Sequence, residues 1–361
     1  MVSDFWHGRR VLVTGHTGFK GAWLSLMLHR LGAKVTGFAL DPPTQPSLYE
    51  LAGVGELIRS VHGDVRDLPH LAKTLAEVAP DVLIHMAAQS VVLTSYQDPQ
   101  DTYSTNVMGT VNVLEAVRRS GRPMTVVNVT TDKCYRNQAW VWSYRENDAL
   151  GGRDPYSNSK ACSELVTQAY RDSYFSPERH ADHGVAIASA RAGNVIGGGD
   201  WTAHQLVPAV VQAFTRGRPV ELRYPDAIRP WQHVLDCLRG YLTLAEAVAG
   251  APAQVAGDWN FGPSADDVFT VAQVAQALAT HWKVSPAWTQ ASGVHSHEEL
   301  ELRLDCSKAR RQLRWQCLLS TKEALAWVAQ WYRRSQTGAS ARQVCDDQIS
   351  SYLELASAAP H

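Results

Sequence analysis

The sequence predicts an α/β chain: a doubly wound parallel sheet with a smaller, mostly helical domain at its C-terminal side. Three observations carry this. Short β-branched runs alternate with longer amphipathic stretches through the first half. A glycine-rich turn joins the first run to the first helix. From about Asn194 the pattern becomes irregular, with Gly197-Gly198-Gly199 and several prolines. Continuous apolar strands separated by helices indicate a parallel sheet covered on both faces.

In chain order, strands are expected over 11–13, 35–40, 82–85, 125–129 and 185–190, with a short one before Asp64. Helices are expected over 22–31, 71–78, 103–119 and 157–174. A helix over 206–215 and a strand over 220–223 follow, and a helix over 234–248 should return to the sheet. The stretch 268–331 reads as mostly helical, interrupted by a charged loop around 295–301. The polar tail after Ser335 predicts an isolated helical piece at 348–355 and a disordered end. Residues 1–190, rejoined by 229–262, would form the first domain, and 191–228 with 263–355 the second.

The 361 residues exceed the size at which one core usually stops growing, and 45% hydrophobic with 19% charged residues is globular composition. A formal net charge of −1 gives no general attraction to nucleic acid or anionic membrane, so any anion must be held by local groups. Cys134, Cys162, Cys237, Cys306, Cys317 and Cys345 form no C-x-x-C pair, which argues against zinc or a disulfide framework and for free thiols. Charge and glycine over 7–10 interrupt any N-terminal apolar run. Nothing approaches the roughly 20 apolar residues a membrane helix needs, so a cytoplasmic protein is expected.

Thr14-Gly15-His16-Thr17-Gly18-Phe19-Lys20-Gly21 lies between the first strand and the first helix. Gly15, Gly18 and Gly21 allow a tight turn, close approach of backbone to a pyrophosphate, and close helix–strand packing. The helix N-terminus offers unpaired N–H groups to phosphates. Asp41, at the end of the second strand, is placed to bind adenosine ribose hydroxyls and would repel a 2′-phosphate, which favours NAD over NADP. A turn residue before Pro42-Pro43 is the plainer role. Asp64-Val65 could meet the adenine edge, although Gly-Asp is also a common turn.

Tyr156 and Lys160 make a Tyr-x-x-x-Lys pair at a helix start, and residues four apart share a helix face. A cation beside the phenol is expected to lower its pKa, giving a base for a hydroxyl proton. Thr130-Thr131-Asp132-Lys133-Cys134-Tyr135 follows the 125–129 strand at its C-terminal end, the edge where open α/β sheets bind ligands.

The glycine loop, the Thr-Asp pair and Tyr-x-x-x-Lys together resemble the extended short-chain dehydrogenase/reductase family of sugar-nucleotide modifiers, with its Rossmann-type sheet. The stretches at 40–44, 106–110, 132–135, 154–160, 191–201 and 229–233 extend the likeness over nearly the whole chain. Related dTDP-sugar dehydratases carry Asp-Glu where this chain has Asp132-Lys133, and that departure points to a CDP-sugar branch. The resemblance implies NAD held by Gly15, Thr17, Gly18, Phe19, Gly21, Asp41, Asp64, Val65, Ala87, Ala88, Gln89, Asn106 and Thr130, with Tyr156 and Lys160. It places Ser90, Asn194, Gly199, Asp200, Trp201, Tyr224 and Arg229 at the nucleotide sugar. Arg229 would clamp the diphosphate with its planar fork. Tyr224 would stack on the base or serve as an ordinary core residue.

The resemblance further implies an internal redox dehydration with Thr131, Asp132, Lys133, Tyr156 and Lys160 as the catalytic set. Tyr156 would take the sugar 4-hydroxyl proton, and protonated Asp132 would protonate the departing 6-hydroxyl. Lys133 would serve as the C5 base or as a stabiliser of enolate charge. No metal is expected. The helices over 103–119 and 157–174 resemble the family's dimerisation helices, so a homodimer is expected. An epimerase of the same family is the near alternative, but it needs no acid–lysine pair after the 125–129 strand. A non-catalytic NAD-binding regulator would keep the glycine loop without the catalytic set.

Overall fold

Each apolar run pairs with its neighbours in one parallel sheet, and the helices between them cover both faces. The structure is a computed structural model that describes residues 4–292 and 301–359. The main elements are β1 (Arg10–Thr14), α1 (Phe19–Arg30), β2 (Lys34–Ala39), β3 (Arg59–His62), α2 (Leu68–Val78), β4 (Val82–His85), α3 (Gly109–Ser120), β5 (Met124–Val129), α4 (Pro155–Tyr174) and β6 (Val185–Ala192). Beyond them come α5 (Leu206–Thr215), β7 (Val220–Leu222), α6 (Val234–Gly250), β8 (Gly257–Phe261), α7 (Val271–Trp282), α8 (Thr321–Gln336) and α9 (Ala341–Ala358).

The seven-stranded sheet runs β8-β6-β5-β4-β1-β2-β3, with every pair parallel. The order reverses between β1 and β4, so their C-terminal ends splay apart and leave a crevice there. β4 and β5 are buried along their whole length, as expected for strands covered on both faces. Helix α6 follows the irregular segment back to the sheet, and β8 then pairs with β6. Strand β7 lies outside this sheet, paired with a short strand at Trp288–Gln290.

The structure corrects three of the sequence expectations. The helix expected over 103–119 is preceded by Pro99–Tyr103 and passes through a π-helical stretch at Ser104–Met108. The stretch 268–331 is less helical than its composition suggests: besides α7 and the start of α8 it holds short strands at Phe269–Thr270 and Trp288–Gln290. Of the charged loop expected there, residues 295–300 lie outside the described residues, and Glu301 bridges to Ile228. The tail is a packed helix, α9, of 18 residues and no isolated piece. Val344, Cys345, Ile349 and Tyr352 are fully buried along one face, a narrow stripe that the many small and polar residues hide. Each of the larger three contributes roughly 1.5–3 kcal/mol relative to leaving it exposed. The extreme end, residues 360–361, lies outside the described residues.

Candidate active site

The glycine loop is shaped by contacts that admit no side chain. Gly15 has φ +79°, and a Cβ there would sit 2.7 Å from Ala87 N. A Cβ on Gly21 would lie 2.1 Å from Gly15 O, so α1 packs directly on the turn. Gly18 differs: its Cβ would meet only Gly15 O, at 3.5 Å, leaving open space above the loop. Gly18 is also the N-cap of α1 and offers no side-chain cap, so the first N–H groups of the helix are left for an anion. A pyrophosphate fits this cradle. Thr17 Oγ1 donates to Leu40 O at 2.9 Å, fixing the loop to the end of β2. Phe19 packs beside Gly197.

Asp41 lies two residues beyond β2, exposed, with His62 Nε2 at 3.7 Å. Asp64 Oδ2 accepts from Arg66 Nε at 2.8 Å, and Val65 is buried against Gly109. Ala87 and Ala88 follow β4, half-buried.

Four residues expected at the dinucleotide or the sugar are hydrogen-bonded within the fold. Asn106, in the π-helical stretch, accepts from Gln89 N at 2.9 Å and donates to Gln89 O and Ser159 Oγ, both at 2.9 Å. Every polar position of its side chain is used to hold the 86–90 loop. The Gln89 side chain donates to Thr102 Oγ1 at 2.9 Å and accepts from Val91 N at 2.6 Å. Thr130 turns its hydroxyl to Glu164 Oε1. Asp200 is buried under Tyr332, whose hydroxyl donates to Asp200 O at 2.6 Å. Gly199 and Trp201 pack beside Asp200 against Trp331 and are not among the residues that line the cavity described below.

The reactive groups gather at the C-terminal ends of β5 and β6. Asp154 accepts from Ser157 N at 2.9 Å, and with Pro155 in the first turn it starts α4. Tyr156 therefore falls in the first turn and Lys160 one turn later on the same face. Thr131 caps the 132–134 turn: its hydroxyl accepts from Lys133 N at 3.3 Å and donates to Asp132 Oδ1 at 2.9 Å. That hydroxyl is also within hydrogen-bonding reach of the Tyr156 phenol.

Asp132 is 1% exposed, and its Oδ2 has no hydrogen-bond partner. Burial pushes its carboxyl above the usual range, opposed only in part by Lys133, the Thr131 hydroxyl and Arg229. A carboxyl whose affinity for a proton is raised, and which has a free oxygen, is better suited to donate a proton than an ordinary one. Burial likewise raises the Tyr156 phenol, against the expectation that Lys160 lowers it. The reason is geometric: Lys160 Nζ donates to Val129 O at 3.2 Å. Burial, and then the charge of Lys20, bring Lys160 down to about 8.

In front of Lys133 lies a cavity of about 420 Å³. Asn194, Tyr224 and Arg229 line it with Lys133, as the sequence led us to expect. Exposed Ser90 is not among its lining residues, but the next residue, Val91, is. Sequence reading missed Tyr96, Arg153 and Arg223 in the wall. Arg153 stands just before the Asp-Pro-Tyr motif, and that nearness was the available signal. It also missed the role of Gly193, where a Cβ would lie 2.6 Å from Asp132 Oδ2 and 2.4 Å from Pro230 Cγ. Among the described residues no cluster of three or more His, Cys, Asp or Glu could hold a metal, and all six cysteines are free.

A doubly wound parallel sheet that sets Tyr-x-x-x-Lys and a buried acid beside a glycine-rich dinucleotide loop defines an extended short-chain dehydrogenase/reductase. Residues 12–327 match the GDP-mannose 4,6 dehydratase family. The CDP-glucose 4,6-dehydratase of Salmonella typhimurium is 47% identical over 350 residues, covering 97% of this chain and 98% of that one. The structure of the dTDP-glucose 4,6-dehydratase DesIV from Streptomyces venezuelae, crystallised with NAD, is 27% identical with a TM-score of 0.76, covering 91% of this chain and 98% of DesIV. UDP-glucose 4-epimerase from Thermotoga maritima shares the fold at 19% identity and TM-score 0.76, covering 90% and 99% of the two chains. The chain belongs to the GDP-mannose 4,6 dehydratase family of nucleotide-sugar enzymes.

Proposed function

We propose that this chain removes water from CDP-D-glucose to give CDP-4-keto-6-deoxy-D-glucose, as a step in deoxysugar biosynthesis, with NAD as its resident cofactor. The observation that carries this is Asp132: a buried carboxyl, raised in pKa, with one free oxygen, next in the chain to the cavity lysine and near enough to the Tyr156 phenol to act on it electrostatically. An epimerase has no use for such an acid. The 47% identical CDP-glucose enzyme supports the choice of nucleotide.

The Gly15–Gly21 loop and the α1 N-terminus would hold the NAD pyrophosphate, and Asp41 the adenosine ribose. NAD, when bound, accepts hydride from sugar C4 and returns it to C6. Tyr156 takes the 4-hydroxyl proton, with the Thr131 hydroxyl beside it. The Thr131 hydroxyl offsets part of the cost that burial places on the phenolate. The ketone acidifies the C5 hydrogen, which leaves as a proton while Asp132 gives its own proton to the departing 6-hydroxyl, and C5 takes a proton back when hydride is added at C6. Arg229 and Arg153 supply cation density for the diphosphate. Lys133 suits two roles, base at C5 or stabiliser of the enolate. Lys133→Met separates them: C5 exchange with solvent deuterium stops if it is the base and persists if it is not.

The assay is incubation with CDP-glucose and NAD, read by the alkaline ultraviolet absorbance of a 4-keto-6-deoxy product, beside dTDP-, GDP- and UDP-glucose. Conversion of CDP-glucose well ahead of the others is expected. Epimerised sugar without that absorbance would overturn the reading.

We further propose a homodimer through α3 and α4, supported by exposed Tyr103 and Met108 before the one and exposed Leu165 and Tyr174 on the other. The division of the chain at 1–190 with 229–262, against 191–228 with 263–355, is supported by the return of α6 and β8 to the sheet. No described helix is long and apolar enough to cross a membrane, and a cytoplasmic site of action is part of the proposal.

A further inference from the structure

On either side of the turn that carries Asp132 and Lys133 stands a residue tied to one buried ion pair. Glu164 on α4 and Arg191 on β6 are each 1% exposed, and Arg191 Nη2 meets Glu164 Oε2 at 2.9 Å. Before the turn, the Thr130 hydroxyl donates to the other oxygen of Glu164. After it, the Tyr135 hydroxyl accepts from Arg191 Nη1 at 2.9 Å and donates to Asn260 Oδ1 at 2.7 Å. Asp258 on β8 adds a second carboxylate to Arg191 at 3.1 Å. The path Thr130–Glu164–Arg191–Tyr135 thus closes a bracket around residues 131–134.

We propose that Glu164 and Arg191 are positioning residues for the loss of water: their ion pair holds both ends of the 132–134 turn and so fixes the buried Asp132 carboxyl and, beside it, Lys133 at the cavity. The inference rests on the dehydratase reading above. As a source of stability alone the pair is a poor device, because desolvation offsets much of the attraction between buried charges. A pair of apolar side chains would fill the same volume, but it could not bind the hydroxyls of Thr130 and Tyr135 at once. Backbone bonds from Cys134 N to Thr131 O, Tyr135 N to Asp132 O and Gly151 N to Cys134 O hold the main chain of the turn, and the bracket adds side-chain ties at its two ends. Its own cap is the single Thr131 hydroxyl, and Asp132 Oδ2 has no partner, so the backbone sets where that carboxyl stands. Tyr156 owes its place to the Asp154 cap and the first turn of α4, outside the bracket.

Thr130→Val and Tyr135→Phe each cut one arm and leave the ion pair whole, while Glu164→Gln removes the charge at the centre. Three quantities are read: kcat and KM for CDP-glucose, NADH absorbance in a single turnover, and amide hydrogen exchange over 130–135. Each arm variant is expected to lower kcat roughly tenfold, the worth of one well-placed hydrogen bond, with KM changed by less than about twofold. NADH should accumulate in the first turnover, because hydride removal then outruns the loss of water. Exchange over 130–135 should quicken while the rest of α4 stays protected. If kcat and exchange both stay at wild-type values, the proposal fails. It fails equally if hydride removal slows as much as product formation and no NADH builds up. Should Glu164→Gln not fold, the two arm variants decide the matter. Should the wild-type chain leave CDP-glucose untouched, the dehydratase reading falls, while the exchange measurement still decides whether the bracket holds the turn.

Discussion

Two pairs of candidate proton-handling groups stand beyond β5 and at the start of α4, and they are built in opposite ways. Tyr156 and Lys160 stand on one helix, where a four-residue spacing and the Asp154 cap are enough to aim them together. Asp132 and Lys133 are adjacent on a short turn, where no periodicity orients a side chain. Their placement relies on distant parts of the chain: the space above Gly193 on the β6 side, the Glu164–Arg191 pair, and Arg229 within range of the carboxyl. A helix carries its own geometry, whereas a turn borrows it.

The sharpest way to break this comparison is to remove one member of each pair. Tyr156→Phe should lower product formation about 10²–10⁴-fold, the usual worth of general acid–base catalysis, and abolish the NADH transient as well. Asp132→Asn should cost a similar factor in product but let NADH accumulate. If both variants behave alike in the transient, the two pairs do not serve separate steps.

Gly193→Ala tests the borrowed geometry without touching a reactive group. The new Cβ would push Asp132 or Pro230 aside, and a displacement near 1 Å is expected to lower kcat on the order of 10²-fold. Crystals of the variant with an unmoved carboxyl and a normal rate would refute the packing argument.

The pH dependence should split along the same line. Asp132 acts in its protonated form, so loss of water slows as pH rises through its elevated pKa. Tyr156 acts as phenolate, so hydride removal speeds up over the same rise. Stopped-flow NADH traces against pH check this: a transient that grows with pH agrees, and one that shrinks does not.

The smallest effect is expected at the exposed Asp41. Asp41→Ala should weaken NAD binding by roughly tenfold or less, about one hydrogen bond to a charged group at the surface, and narrow the preference over NADP. Titration of both dinucleotides by fluorescence would measure it.

What was legible in the sequence follows from the same contrast. β1, β2, β4, β5 and β6 could be read from their apolar runs, and the Gly15–Gly21 loop from its spacing, because those signals are local. The π-helical stretch was not legible. Nor were the hydrogen bonds of Asn106 to Ser159, Gln89 to Thr102 and Thr130 to Glu164, since those partners lie 53, 13 and 34 residues away in the chain. The pKa expectation for Tyr156 failed for a similar reason. Spacing puts Lys160 on the right face, but only the fold reveals that its ammonium is engaged by the Val129 carbonyl. Gly199, Asp200 and Trp201 stood in a motif that pointed to the sugar, yet Trp331 and Tyr332 from the other end of the chain cover them.

Helix α9 reaches back to the beginning of the molecule. Arg342 donates through Nε to Ala52 O and through Nη2 to Gly53 O at 2.6 Å, in the segment between β2 and β3. Two carbonyls made early in translation therefore wait for a guanidinium 290 residues beyond the first of them. The segment between Asp41 and β3 can be completed only once α9 has been made.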